Sequence, residues 1–219
     1  FNIEIELYPL HKEPWYNKGY LLYSELGKYE EAIECYDKAI ELNPKNKDVW
    51  YSKGWVLERL GRLGCYAEAI ECYDKILEMY PTETDAWYFK GLGLSHLRRY
   101  EEALKCYDKT IELNPTHVDA WLSKSRVFEK LNRHEEAIEC CDKSIEIYPS
   151  CDNWIYKGNF LCRIERHEEA IEYYDKALVY KDTEELWDAK GNALQKLGRI
   201  KEAEKCFAEA LDVYYWNRY

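Results

Sequence analysis

Six tryptophans, Trp15, Trp50, Trp87, Trp121, Trp154 and Trp187, recur at intervals of 35, 37, 34, 33 and 33 residues. A single globular core imposes no such spacing, whereas a stack of similar units does, and a period of that length outranks every local assignment. The clearest unit is 87–115, WYFKGLGLSHLRRYEEALKCYDKTIELNP. It reads as two short helices joined by a tight turn. Trp87, Gly91 and Leu94 fall at helical spacing on the first segment, and Ala103, Tyr107 and Thr110 on the second.

The landmarks around each tryptophan repeat with it. Four residues on stands a glycine (Gly19, Gly54, Gly91, Gly158, Gly191), with Ser125 the exception. Seven residues on stands Leu22, Leu57, Leu94, Phe128, Leu161 or Leu194. A glycine inside a helix costs about 0.5–1 kcal/mol relative to alanine, so its recurrence predicts that another helix approaches the backbone closely. The second segment opens in most units on an acidic pair, Glu30–Glu31, Glu101–Glu102, Glu135–Glu136 or Glu168–Glu169, which suits the positive end of a helix. Ala32, Ala69, Ala103, Ala137, Ala170 and Ala203 follow. Four residues beyond each comes Tyr36, Tyr73, Tyr107, Cys141, Tyr174 or Phe207. Pro44, Pro81, Pro115 and Pro149 then close the helix, because proline forces the preceding residue into an extended shape.

This pattern, W…G…L…A…Y/F…A…P at about 34 residues, resembles the tetratricopeptide repeat. The resemblance covers nearly the whole chain. It places the tail of a truncated upstream repeat at 1–9 and full copies at 12–45, 46–82, 83–116, 117–150, 151–183 and 184–219. It implies an all-α fold, a right-handed superhelical solenoid of antiparallel helix pairs, whose first helices line a concave groove that binds peptides or partner helices. One departure is constant: Lys18, Lys53, Lys90, Lys124, Lys157 and Lys190 stand where the family often has leucine. A lysine stem covers apolar surface while its head stays wet. The opening FNIEIELYP resembles the unit ends at 40–44 and 111–115, so the chain is expected to be a piece of a longer protein. Extra residues around Leu60–Tyr66, with Gly61 and Gly64, predict a longer turn there.

Charge and composition narrow the function. A net charge of -11 disfavours nucleic acid and anionic membrane surfaces as partners, since both need a basic footprint. No apolar run reaches the roughly 18 residues of a membrane span. Of nine cysteines, Cys35, Cys72, Cys106, Cys140 and Cys206 share one place, three residues after the alanine, where a thiol behaves as a small buried hydrophobe. That favours a reducing compartment and a cytoplasmic location. No HExxH, nucleophile elbow or phosphate-cradling loop is present, so neither catalysis, a cofactor nor a metal is expected. His134 and His167 replace Tyr29, Tyr66 and Tyr100 as helix-start residues.

A binding role therefore rests on the first helices. Residues one, two and five after each tryptophan lie away from the glycine–leucine stripe. In the first half these include Tyr16, Asn17, Tyr20, Tyr51, Trp55, Tyr88 and Phe89, an aromatic wall. In the second half they include Arg126, Asn159 and Asn192, which suit main-chain or acidic groups. Clustered exposed aromatics mark interaction surfaces. Glu13, Asp48, Asp85, Asp119, Asp152 and Glu185, two residues before each tryptophan, read as helix-start carboxylates. The lysine, asparagine and arginine set with which some family members grip chaperone tails is missing. An apolar or basic protein segment is therefore expected rather than an acidic C-terminal tail. Two alternatives are self-assembly through the terminal repeats, suggested by the aromatic end DVYYWNRY at 212–219, and service as a regulatory domain of a larger enzyme.

Overall fold

The computed structural model describes residues 12–61 and 63–216. These form twelve α-helices and, among the described residues, no strand: α1 (Lys12–Ser24), α2 (Tyr29–Leu42), α3 (Lys47–Leu60), α4 (Leu63–Met79), α5 (Thr84–His96), α6 (Tyr100–Leu113), α7 (Val118–Lys130), α8 (His134–Ile147), α9 (Cys151–Arg163), α10 (His167–Leu178), α11 (Glu184–Lys196) and α12 (Ile200–Trp216). Helices joined by a short turn pack on each other, α1 on α2, α3 on α4, α5 on α6, α9 on α10 and α11 on α12, and so run antiparallel. Successive pairs also touch: α2 packs on α3, α4 on α5, and α10 on α11. Two compact units emerge, residues 1–127 and 128–219, each described by itself below. The segment 1–9 and the last three residues of the aromatic end lie outside the described residues.

The turns inside the pairs share one geometry. A single residue adopts left-handed backbone: Gly27, Gly61, Arg98, Asn132, Glu165 and Gly198. At Glu165 the amide donates to the Cys162 carbonyl at 3.1 Å, and the next amide, of Arg166, donates to Leu161 at 2.9 Å. These two bonds satisfy carbonyls that a helix end otherwise leaves open. Left-handed backbone costs a side-chain-bearing residue about 1–2 kcal/mol, an amount that glycine escapes but partly loses to chain entropy. Glu165→Gly is therefore expected to stabilise the protein by about 0.5–1 kcal/mol. Asn132→Gly should gain less, because asparagine tolerates this region; urea midpoints of the two variants check the order.

The extra residues near Leu60–Tyr66 do not lengthen the turn as expected. Gly61 makes the left-handed turn and α4 begins at Leu63, so the insertion becomes helix. Gly64 meets nothing within 4 Å, while Cys65 packs against the core of this pair, and that contact favours the longer helix. The helix ends agree with the proline reading: α2, α4, α6 and α8 each stop two residues short of Pro44, Pro81, Pro115 or Pro149. The prolines also serve the tryptophans. The indole of Trp50 donates to the Pro44 carbonyl at 2.8 Å, that of Trp87 to Pro81 at 2.9 Å and that of Trp121 to Pro115 at 3.1 Å.

The cores are built from the small and aromatic landmarks. Ala32, Ala69, Ala103, Ala137 and Ala170 are fully buried, as are Tyr36 and Tyr73. What chiefly crowds the glycine four residues after each tryptophan is an aromatic ring of the second helix, joined at Gly19 by the Ala32 carbonyl, 3.2 Å from an added Cβ. A Cβ on Gly91 would come within 2.6 Å of Tyr107 Cε1, and Gly158 and Gly191 face Tyr174 and Phe207 in the same way. Where the glycine place is taken by Ser125, the aromatic place is taken by Cys141. The five repeating cysteines are buried, and burial pushes the Cys72 thiol up to about 12 and the Cys106 thiol to about 11. They stay protonated and pack as hydrophobes.

The recurrent lysines do more than cover apolar surface. From Lys53 onward each ammonium meets an aspartate on the second helix of the preceding pair: Lys53 with Asp37 at 2.5 Å, Lys90 with Asp74 at 2.5 Å, Lys124 with Asp108 at 2.6 Å, and Lys190 with Asp175 at 2.5 Å. Lys157 pairs with Asp142 in the same way and is nearly buried. Burial alone would lower Lys53, but the Asp37 carboxylate outweighs it and holds the ammonium above the usual lysine value. Lys90 and Lys124 also lie 5.6 Å over the Trp87 and Trp121 rings and Lys190 5.4 Å over Trp187, so these three lysines tie a tryptophan to its neighbour's acid.

Candidate functional site

In the 1–127 unit four residues of the predicted wall, Tyr51, Trp55, Tyr88 and Phe89, form a continuous aromatic cluster centred on α3 and α5. Tyr51 and Trp55 lie one turn apart on α3, their ring centroids 5.8 Å apart. Phe89 of α5 meets Trp55 edge-on at 5.8 Å and Tyr51 at 6.1 Å. Tyr88 extends the cluster through Phe89 at 5.3 Å to His117 at 4.8 Å. Tyr73 of α4, which sequence reasoning assigned to the core alone, stacks on Phe89 from beneath at 5.7 Å. Offset and edge-on pairs of this kind stabilise beyond the area they bury.

The members differ in depth. Trp55 is 41% exposed and Tyr20 of α1 55%, whereas Tyr51 is only 8% exposed. Tyr51 is therefore a support for the face, and its hydroxyl is buried without a hydrogen-bond partner. Tyr16, Tyr88 and Phe89 are half-buried, and Asn17 is exposed. Tyr16 leans on Tyr36 at 5.9 Å. Arg126, on the same unit, is exposed, and its charge reaches the Tyr88 hydroxyl beside Ser123. Asp48, Asp85, Asp119, Asp152 and Glu185 all sit in first turns, as expected of helix-start carboxylates.

Glu58 was missed. It follows Trp55 by three residues and Tyr51 by seven, the spacing that puts all three on one helix face, so the signal was present. Its Oε1 is sealed from solvent, and burial pushes the carboxyl up to about 7, with the nearby Tyr73 hydroxyl acting in the opposite sense.

In the 128–219 unit, Asn159 of α9 and Asn192 of α11 come together in one open cleft of ≈ 340 Å³. Arg163, His167 and Lys196 also line it. The Tyr174 hydroxyl donates to Asn159 Oδ1 at 2.8 Å and so fixes that amide, while Asn192 stays exposed. Arg163 is held by both oxygens of Glu129, at 2.9 and 3.0 Å. His134 and His167 open α8 and α10 as helix-start residues. Among the described residues no cluster of histidines, cysteines and acids could hold a metal ion, and no helix is long and apolar enough to cross a membrane.

Comparison with known proteins agrees with this geometry. A family model described as "TPR repeat" matches residues 19–61, and models described as "Tetratricopeptide repeat" match 48–83, 84–117, 106–139 and 184–215. No curated protein sequence matches the chain. Among solved structures, MamA is 24% identical over 76% of this chain and 90% of its own, with a TM-score of 0.66. A tetratricopeptide repeat protein from Parabacteroides merdae is 21% identical over 94% of this chain and 79% of its own, with a TM-score of 0.69. YrrB, described as a TPR protein with an unusual peptide-binding site, is 25% identical over 91% of this chain and 97% of its own, with a TM-score of 0.62. The fold class is the helix-pair solenoid of these neighbours.

Proposed function

The chain belongs to the tetratricopeptide-repeat family of protein-interaction scaffolds, and on that premise we propose that it binds a protein segment, without catalysis, along the first-helix face of its aromatic cluster. The observation that carries this reading is the exposure of Trp55 and Tyr20, large aromatics left open beside half-buried Tyr16, Tyr88 and Phe89. Exposed rings backed by a rigid cluster bind at low entropic cost, and tryptophan and tyrosine are enriched among residues that dominate binding energy. Asn17 and Arg126 supply polar contacts at the margin of this face. Asn159 and Asn192 supply main-chain contacts in their own cleft. The acidic chain favours an apolar or basic segment, and the peptide-binding site described for YrrB is a precedent on the same fold.

The partner is to be identified by co-purification with the protein from its own cells. Trp55→Ala together with Tyr20→Ala should then weaken its binding at least tenfold, which is the loss expected of exposed anchor residues. Helix content should be unchanged, because neither side chain is buried. Wild-type affinity in that double variant would refute the assignment.

Self-association has one observation in its favour: Trp216 on α12 is 86% exposed, with Leu211 also open on the same helix. Sedimentation at two concentrations separates the two readings. Only self-association predicts a mass that rises with concentration and is lost in Trp216→Ala.

A further inference from the structure

Glu58 has no counterion. Its carboxyl lies within electrostatic reach of the hydroxyls of Tyr73 on α4 and Tyr88 on α5, and among the described residues no lysine or arginine pairs with it. Oε1 is sealed from solvent and accepts no hydrogen bond, yet the residue as a whole stays partly open. The Tyr51 and Tyr73 hydroxyls of the same cluster are likewise buried without partners. A carboxylate largely stripped of water, countered only by the neutral Tyr73 hydroxyl close by, holds on to a proton, and this one titrates at about 7. The recurrent lysines of the first helices, by contrast, are each matched to an aspartate from Lys53 onward. An unmatched acid beside open rings is the exception, and its chemistry specifies what would satisfy it.

Three features converge on a cation. The acid needs a donor that carries charge. The rings beside it, Trp55 and Phe89 at 5.8 Å from each other and Tyr88 at 5.3 Å from Phe89, offer faces that attract cations. A net charge of -11 draws basic segments toward the protein. A guanidinium suits the place better than an ammonium, because it is planar, stacks on rings and brings paired donors.

Building on the reading of this face as a peptide-binding surface, we propose that Glu58 is the anionic floor of a subsite that takes one arginine side chain of the bound segment, its guanidinium lying against Trp55 and Phe89. Binding would convert the sealed acid from a proton holder into one half of an ion pair, so the subsite reads charge as well as shape.

The test uses two synthetic peptides, acetyl-Leu-Arg-Leu-amide and its neutral isostere acetyl-Leu-citrulline-Leu-amide. Each is titrated into the 219-residue chain and followed through the Trp55 indole N–H resonance, assigned with Trp55→Phe. The arginine peptide should bind wild type at least tenfold more tightly than the citrulline peptide. Glu58→Gln should reduce the arginine peptide to the citrulline value and leave the citrulline peptide unchanged. Equal affinities for the two peptides, or an arginine preference that survives Glu58→Gln, overturns the subsite while leaving the aromatic face intact as a binding surface. Failure of both peptides to move Trp55 overturns the face and the subsite together.

Discussion

Truncating Tyr107 to alanine is expected to destabilise the protein by about 3–5 kcal/mol, the range for removing a large buried ring. Tyr107 is 1% exposed, and its ring is the surface against which Gly91 of α5 rests. The informative measurement is the double-mutant cycle with Gly91. In an ordinary helix Gly→Ala gains about 0.5–1 kcal/mol. Here the added Cβ would lie 2.6 Å from the ring, so Gly91→Ala alone should instead cost about 1–3 kcal/mol, as overpacking does. With Tyr107 already truncated the clash is gone and the same substitution should become stabilising. Urea denaturation of the four variants reports the change of sign. An equal penalty in both backgrounds would mean that something other than the ring excludes a side chain at this position.

The second large effect is a gain. Glu58→Gln should stabilise the protein by up to about 3 kcal/mol at pH 8 and by almost nothing near pH 4.5. The sign follows from proton binding. The carboxyl titrates at about 7 when folded and near the ordinary glutamate value when unfolded, so between those limits the folded state holds the extra proton. Stability from this group is complete below about 4.5 and is lost as pH rises through 7. Tyr73 and Tyr88 face the acid from α4 and α5, and burial raises both, so they remain neutral across this window. Melting curves of wild type and variant from pH 4.5 to 8 should therefore diverge steadily toward the alkaline end. Parallel curves would show that the carboxyl is solvated after all. A residue kept at such a cost to the fold is the kind that binding, rather than folding, explains.

The array could be read from the residues because its landmarks act locally. A proline stops its own helix, a left-handed turn needs only its own bonds, and a cysteine three residues past a buried alanine shares that alanine's face. What the residues did not disclose depends on partners from other helices. The lysines looked like stems over apolar surface because each aspartate that pairs with them lies 15 or 16 residues earlier, on another helix. Helical geometry placed Tyr51 and Trp55 together on one face. It could not say that Phe89 and Tyr73 would close over Tyr51 and leave Trp55 open, since depth is set by the neighbours. The longer turn failed for the same reason, because a core contact at Cys65 decided what the two glycines left undecided.

The lysine–aspartate pairs have a consequence for how such a chain changes length. Every junction carries the same complementary couple, acid on the trailing side and base on the leading side. Duplicating or excising one whole module recreates a matched seam at the new join. A cut of any other length would set unlike partners, or none, against each other. The couple thus acts as a coupling of fixed gauge, letting the array grow or shrink in whole steps while penalising fractional ones.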